Sequence, residues 1–456
     1  MSAGLSPASD VVERGLAAAA GPCVVLVEDT HEAEVRFANN TTTTDGVRLE
    51  RRVTVVRVVE AQGATAAGVA SAGGAVDVEE LVHAAERDTA RADDAWPLVE
   101  GGAQAGYEAD APVTDLSVLS GVLRDLAGAF ERARRSGTTL SGFAEHRVAT
   151  TYLGSSTGLR RRHVQPTGAL HLVGRGDGRS AWAGAATADF SDVSVDTLEE
   201  RVARGLEWAR TTIEVPAGRY EVVLPPEAVA DMMVYLVEAA SGVESEEGRT
   251  VFSTPGGGTK VGERLAPLPF DLWSDPAEPG LECSTFLAVG ASGADVSVFD
   301  NGVDLGRTSW LGGGRLEHLR YHRAGAGRSG VEPAFPVDNL VLSLPGSSGT
   351  LDDLVARTER GLLLTCLWYI RQVDPQTLLL TGLTRDGVYV VEDGRVVGAA
   401  NNFRFNESPL DLLARATEAS GTVRALGREL GEWMNRTSMP ALRVPGFNMS
   451  SVSPAS

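Results

Sequence analysis

Tyr220-Glu221-Val222-Val223-Leu224-Pro225-Pro226, running on through Glu227-Ala228-Val229-Ala230-Asp231-Met232-Met233-Val234-Tyr235-Leu236-Val237-Glu238-Ala239-Ala240-Ser241-Gly242, is the stretch on which the fold assignment turns. Tyr220 to Leu224 predicts a strand, and Pro225-Pro226 begins a helix where a missing N–H costs nothing. From Pro226 to Ala240, the residues Val229, Met232, Met233, Leu236, Val237 and Ala240 form one apolar stripe, the pattern of a core-facing helix. Beyond it the text is Gly-rich strand and turn, with further helices predicted at about Leu351 to Leu362 and Pro409 to Met434. Strands and helices come in blocks and not in strict alternation, which favours an α+β fold over a doubly wound α/β sheet.

Upstream, strands are predicted at Cys23 to Glu28, Glu34 to Ala38 and Val47 to Glu60, with turns at Asn39-Asn40 and Asp45-Gly46. A helix follows over Val76 to Arg91, and Ala92 to Thr114 reads as a linker or long surface loop. Asp115 to Arg135 is a second helix, capped by Asp115 or Ser117. Strands at Phe143 to Tyr152, Leu159 to Val164, Ala169 to Val173 and Ser180 to Ala186 lead to a helix from Asp196, and Pro216-Ala217-Gly218 closes this part. The expected organisation is an N-terminal α+β domain over 1–110, a middle α+β domain over 111–218, both of antiparallel sheets packed with helices, and a large β-rich, all-antiparallel C-terminal domain over 219–456.

With 456 residues, 43% apolar and 22% charged, the chain suits two or three packed domains. Its formal charge of −20 repels phosphate backbones and anionic lipid, so neither nucleic acid nor membrane is an expected partner. Lys260 is the only lysine, which leaves no lysine-rich patch to interpret. Cys23, Cys283 and Cys366 are odd in number and set among apolar neighbours, so they read as reduced and buried. Asp10 and Glu13 stand where a signal peptide wants positive charge, and Leu362 to Ile370 is about half of the ~20 residues that span a bilayer. A cytoplasmic location is expected.

Three motifs imitate catalytic ones. Gly154-Ser155-Ser156-Thr157-Gly158 matches the nucleophile elbow but lacks the helix after it, and reads as a hairpin turn. Gly325-Ala326-Gly327-Arg328-Ser329-Gly330 has dinucleotide-binding spacing, but Pro333 and Pro336 follow where the helix must begin. Gly256-Gly257-Gly258-Thr259-Lys260 lacks the phosphate-loop spacing. His318 and His322 would share a face only on a helix, which the flanking glycines and charges disfavour; a metal site there would need a third ligand from elsewhere.

The strand and helix of the opening stretch resemble the PmbA/TldD family, whose zinc-bearing members carry H-E-x-x-x-H at the end of this helix. The resemblance extends through Phe37-Ala38-Asn39-Asn40, Gln165-Pro166-Thr167-Gly168, Tyr369 to Pro375, Leu383 to Tyr389, Asn401 to Pro409, Met439 to Val444 and Phe447 to Ser453, and is similar to the TldE (PmbA) side. In this chain the two histidine positions are Val237 and Gly242, and only Glu238 is retained. Neither replacement has a donor atom, so no zinc, no other cofactor and no catalytic residue is expected here.

What the resemblance implies is the non-catalytic subunit of a heterodimeric metallopeptidase that cleaves unfolded or leader peptides, with zinc in a TldD-type partner and this chain forming one wall of the peptide cavity. Asn401, Asn402, Arg404 and Asp386 are candidates for contact with peptide or partner, or they satisfy local turns. The competing expectation is a stand-alone peptide- or protein-binding modulator without proteolysis.

Overall fold

Asn39 and Asn40 reverse the chain between β1 (Cys23–Ala38) and β2 (Thr41–Ala61). Both hold positive φ, 52° and 59°, as a two-residue hairpin turn requires and asparagine tolerates. In the computed structural model, which describes residues 5–61 and 63–453, this hairpin is the centre of a seven-stranded sheet. The other strands are β3 (Ala64–Gly73), β4 (Thr89–Arg91), β5 (Thr139–Ser155), β6 (Arg160–Gly176) and β7 (Arg179–Thr187), in the order β4-β3-β2-β1-β5-β6-β7. The breaks predicted after Glu28 and at Asp45-Gly46 are absent. β1 is bonded on both sides, and Glu34 and Val35 pair with Gly46 and Asp45, so backbone pairing carries the strand through polar residues.

Helices cover one face of this sheet. They are α1 (Ala8–Ala18), which sequence reading missed, α2 (Val78–Arg87), α3 (Ser120–Ser136) and α4 (Val195–Trp208). Asp77 caps α2 and Ser194 caps α4, while Asp115 caps the single 3₁₀ turn that leads into α3. On β1, Val25, Val27, Val35 and Phe37 face the helices, and Val24 and Leu26 point to the opposite side against Phe286, Val298 and Phe299. Because β1 pairs with β5 from Val24 to Phe37, the segments 1–110 and 111–218 share one sheet, and the boundary expected at residue 110 falls between β4 and β5.

The ten-stranded sheet starts at β8 (Thr212–Ile213) and β9 (Gly218–Leu224), and a six-stranded sheet lies across from it. Between them runs α5 (Pro226–Glu238), whose buried residues include every position from Pro226 to Val234. The predicted apolar stripe is therefore too narrow, since α5 is enclosed almost all round. Several expectations are corrected. α8 covers only Leu351–Ala356, because Arg360–Leu364 becomes a strand beside β9 with four consecutive buried residues. α9 covers only Pro409–Arg415, after which Glu418–Ala419 and Val423–Ala425 are strands. The C-terminal part is not wholly antiparallel, as β9 runs parallel to Arg360–Leu364 and β8 to Arg395–Ala400. Among the described residues no helix is long and apolar enough to cross a membrane. The three cysteines are free and buried.

Asn40 does more than turn the chain: its Nδ2 donates to the Thr138 carbonyl at 2.8 Å, and its Oδ1 accepts from Leu140 N at 2.7 Å. Asn40→Ala should lower stability by about 2 kcal/mol or more, through lost buried hydrogen bonds and the cost of positive φ. Asn40→Gly, which keeps the turn, should lose less; urea denaturation of the two variants measures the difference.

Candidate functional site

Glu238 is the last residue of α5, where the helix's C-terminal carbonyls need donors. Arg320 supplies them: Nη2 donates to the Glu238 carbonyl at 2.5 Å and Nη1 to Glu238 Oε1 at 3.0 Å, and Nε stands 2.6 Å from Asp295 Oδ2. The Arg320 side chain is 7% exposed, so one buried cation serves two carboxylates. Burial raises the Glu238 carboxyl above its ordinary range, and Arg320 pulls it back. Arg320 is also tied by backbone, its N–H donating to the Ala240 carbonyl at 2.7 Å while its carbonyl accepts from Gly242 N at 2.8 Å.

The positions flanking Glu238 do not fit a zinc ion. Val237 is buried in the apolar core, and Gly242 opens α6 (Gly242–Glu246) directly against the Tyr321 ring. A Cβ at 242 would lie 2.0 Å from Tyr321 Cε2 and Cζ, and the Tyr321 hydroxyl is fixed by donating to Glu246 Oε1 at 2.8 Å. No residue with a side chain enters without displacing that ring. Among the described residues, no group of three His, Cys, Asp or Glu could hold a metal ion. His318 and His322 do not converge: His318 is exposed and bonded to the Ser309 carbonyl, whereas buried His322 caps α7 (Arg323–Ser329) through Gly325 N. The glycine motif from Gly325 thus lies largely within a short helix. Ser156 sits in the β5–β6 hairpin, its Oγ accepting from Cys23 N.

Two cavities meet at Glu238. One, of about 640 Å³, is lined by Tyr235, Glu238, Arg249, Leu430 and Trp433. The other, of about 530 Å³, is a cleft between the uncovered face of the seven-stranded sheet (Glu28, Arg147, His163, Gln165) and the segment 432–436. Glu238 and Trp433 line both, and Trp433 is 55% exposed. Across the cleft Arg436 bonds Thr167 and pairs with Asp338 at 2.5 Å, and Gln165 Nε2 donates to the Glu282 carbonyl at 3.2 Å, so Gln165-Pro166-Thr167 joins sheet to C-terminal part.

The segment 428–430 is anchored from beneath. Asp231, in mid-α5 and without exposure, accepts from the backbone N–H groups of Arg428, Glu429 and Leu430 at 3.0, 3.2 and 2.9 Å. Burial outweighs these donors and pushes its carboxyl up to about 7. The Arg428 guanidinium then lies between Trp182 of β7 and Trp368, 5.1 and 4.8 Å from the ring centroids.

The four residues singled out for peptide or partner contact are not brought together, and none lines either cavity. Asn401 Oδ1 accepts from Val215 N at 2.8 Å, Asp386 bonds the Ser180 hydroxyl of β7, and Arg404 is exposed near Thr381. Asn402 accepts from Ser453 N through its carbonyl. Arg320, Tyr321 and Trp433 escaped sequence reading because nothing local marks them. Asp231 did carry a signal, a lone carboxylate in the middle of an apolar helix.

A seven-stranded sheet covered by helices on one face, and two further sheets that enclose a buried helix, define an α+β protein. Residues 217–451 match the PmbA/TldA metallopeptidase C-terminal domain, and the chain belongs to the PmbA/TldD family. No curated protein matches in sequence. In structure the chain is similar to TldE from Thermococcus kodakarensis, with a TM-score of 0.76 at 17% identity over 97% of this chain and 99% of that one. It is also similar to a protein from Thermotoga maritima provisionally named a modulator of a DNA gyrase, with a TM-score of 0.73 at 18% identity over 96% and 99%. A Bacteroides thetaiotaomicron protein of like name gives 0.71 at 15% over 98% of each chain. At these identities the likeness is one of fold.

Two outcomes follow from the geometry. Gly242→Ala should destabilise the fold by about 1–3 kcal/mol through overpacking on Tyr321, and Tyr321→Ala in the same chain should relieve part of that loss, measured by thermal melting. The raised Asp231 carboxyl means that the folded state holds its proton more tightly than the unfolded state, whose value lies near the ordinary 3.8. Its stabilising contribution is therefore full below about pH 4, declines as pH rises to about 7 and is flat above. The stability difference between wild type and Asp231→Asn, followed across that window, should show this downward slope.

Proposed function

We propose that this chain is the zinc-less, non-catalytic subunit of a TldD/TldE-type heterodimeric metallopeptidase acting on unfolded or leader peptides, and that it supplies one wall of the peptide cavity. The observation that carries the reading is the filled metal position: Val237 is core, Gly242 is sealed by Tyr321, and Arg320 already neutralises Glu238. Glu238 then has no metal-bound water to activate and serves to fasten the helix end. The likeness to a TldE along nearly the whole chain supports the same side of the pair. The partner would be a TldD-type homologue that carries the zinc, in the cytoplasm, where three free cysteines suit a reducing environment.

A stand-alone binding role is the second reading, favoured by one observation: a cleft of about 530 Å³ opens at Glu238 with the exposed Trp433 on its rim. The names of the Thermotoga and Bacteroides proteins point in the same direction. One experiment separates the two. This chain, a zinc-bearing TldD-type homologue from the same genome, and the two co-expressed are each assayed on a mixture of unstructured peptides, with metal content measured in parallel. The subunit reading expects zinc only in the partner and cleavage only by the co-expressed pair. Cleavage by this chain alone overturns it, and peptide capture without cleavage in any combination favours the binding role.

A further inference from the structure

The cavity of about 640 Å³ at the end of α5 has charged residues in its lining but no free charge to offer a ligand. Its ionised side chains are Glu238, Glu244 and Arg249. Glu238 is paired with Arg320 at 3.0 Å, and Arg249 with Glu244 at 3.6 Å and also with Glu247. The Tyr235 hydroxyl donates to the Ile370 carbonyl at 2.8 Å, and Thr250 Oγ1 is bonded to Ser245 Oγ at 2.7 Å. Among the described residues, the lining polar groups left without a partner are the Gln372 amide and the Trp433 indole N–H, and both are neutral. A charged group entering here would give up water and find no opposite charge unpaired, whereas an uncharged one meets no such cost.

The rest of the lining is apolar: Val234, Ala239, Pro375, Leu378 and Leu430, together with the Trp433 ring. Val234 and Leu378 belong to the C-terminal core, and Ala239 and Leu430 pack against it, so the cavity reaches down to the core. Its volume of about 640 Å³ lies within the ~300–1,000 Å³ of ordinary ligand pockets. Trp433 is 55% exposed and lines the neighbouring cleft as well, so a chain lying in the cleft passes its ring. A second exposed aromatic stands close by. Tyr369, 59% exposed, precedes the Ile370 that Tyr235 of the cavity wall holds, and keeps φ at 53°, a conformation that tyrosine rarely adopts. Glu429 fixes it there, accepting from Tyr369 N at 3.0 Å and pairing with Arg371, whose guanidinium lies 5.2 Å from the ring centroid. Two large rings are thus held towards water beside an apolar floor, an arrangement suited to burying an apolar group.

We propose, on the peptide-wall reading above, that this cavity is a specificity pocket for an uncharged apolar or aromatic side chain of an extended peptide, packed on Trp433 while the peptide backbone lies in the adjoining cleft. A carboxylate at the same peptide position would be buried without a free cation to meet it.

The test is direct binding, independent of cleavage. Three fluorescently labelled, unstructured peptides of equal length, identical but for Phe, Ser or Asp at one central position, are titrated by anisotropy at low and high salt against the full chain, alone and co-expressed with its homologue. The Phe peptide should bind about 10-fold tighter than the Ser peptide, the gain from burying most of one aromatic side chain, and the Asp peptide weakest. The ratio of Phe to Ser should persist at high salt, which screens charges and leaves apolar burial in place. Trp433→Ala, at an exposed position, should lose most of the Phe preference, and Ala239→Leu, which adds bulk inside the cavity, should lose it too. Val397→Ser should keep it, being exposed on the strand Arg395–Ala400, towards the opposite edge of the ten-stranded sheet from the strand Leu367–Asp374 that carries Gln372. Equal binding of the three peptides, or a Phe preference that survives in both cavity variants, overturns the proposal and leaves the peptide-wall reading standing. Binding of none of them, by the chain alone or co-expressed, overturns both.

Discussion

One buried carboxylate organises the C-terminal half of this molecule. Asp231 lies on a helix enclosed between two sheets, where a charge is costly, and its position is tolerable only because three consecutive backbone N–H groups of residues 428–430 point at it. The dependence runs both ways. The turn at 428–430 has no helical or strand partners of its own, and without Asp231 its donors would be buried and unmet. From that fixed turn the chain sets Arg428 between Trp182 and Trp368, spanning the seven-stranded and ten-stranded sheets. It then carries Glu432, Trp433 and Arg436 to the cleft wall. A single core interaction thus determines where the mouth of the cleft lies.

The end of the same helix is closed in a way that a point change does not open. Val237 and Gly242 offer no donor atom, and the space around them is filled: Tyr321 occupies what a side chain at 242 would need, and Arg320 provides the positive charge beside Glu238. Close packing makes the closure collective, because placing a side chain at 242 requires moving a ring, its hydrogen bond to Glu246 and the backbone bridge through Arg320 together. Glu238 in this setting fastens the helix terminus.

Local chemistry made some features plain in the sequence. The Asn39-Asn40 turn, the cap at Asp115 and the helix opened by Pro225-Pro226 are all where side-chain and backbone preferences put them. Two helices were overextended for a common reason. Leu362 to Leu364 is apolar enough to continue a helix, yet it is buried on both faces beside β9, where a run without alternation is what a central strand needs. Past Arg415, the helical-looking text is divided by Ser420, whose hydroxyl accepts from Ala441 N in a pairing remote in sequence.

The sequence by itself determined the α+β class and the family, since each follows from residue identity and short-range pattern. It could not place Asn401, Asn402, Arg404 and Asp386, which the fold distributes over separate backbone and interface contacts. Only the tertiary structure decided that one sheet spans the first two segments, that Arg320 and Tyr321 close the helix end, and that Asp231 anchors the turn at 428–430. Those relations join residues about 80 to 200 positions apart, and what brings them together is strand register and core burial, which no local window of sequence encodes.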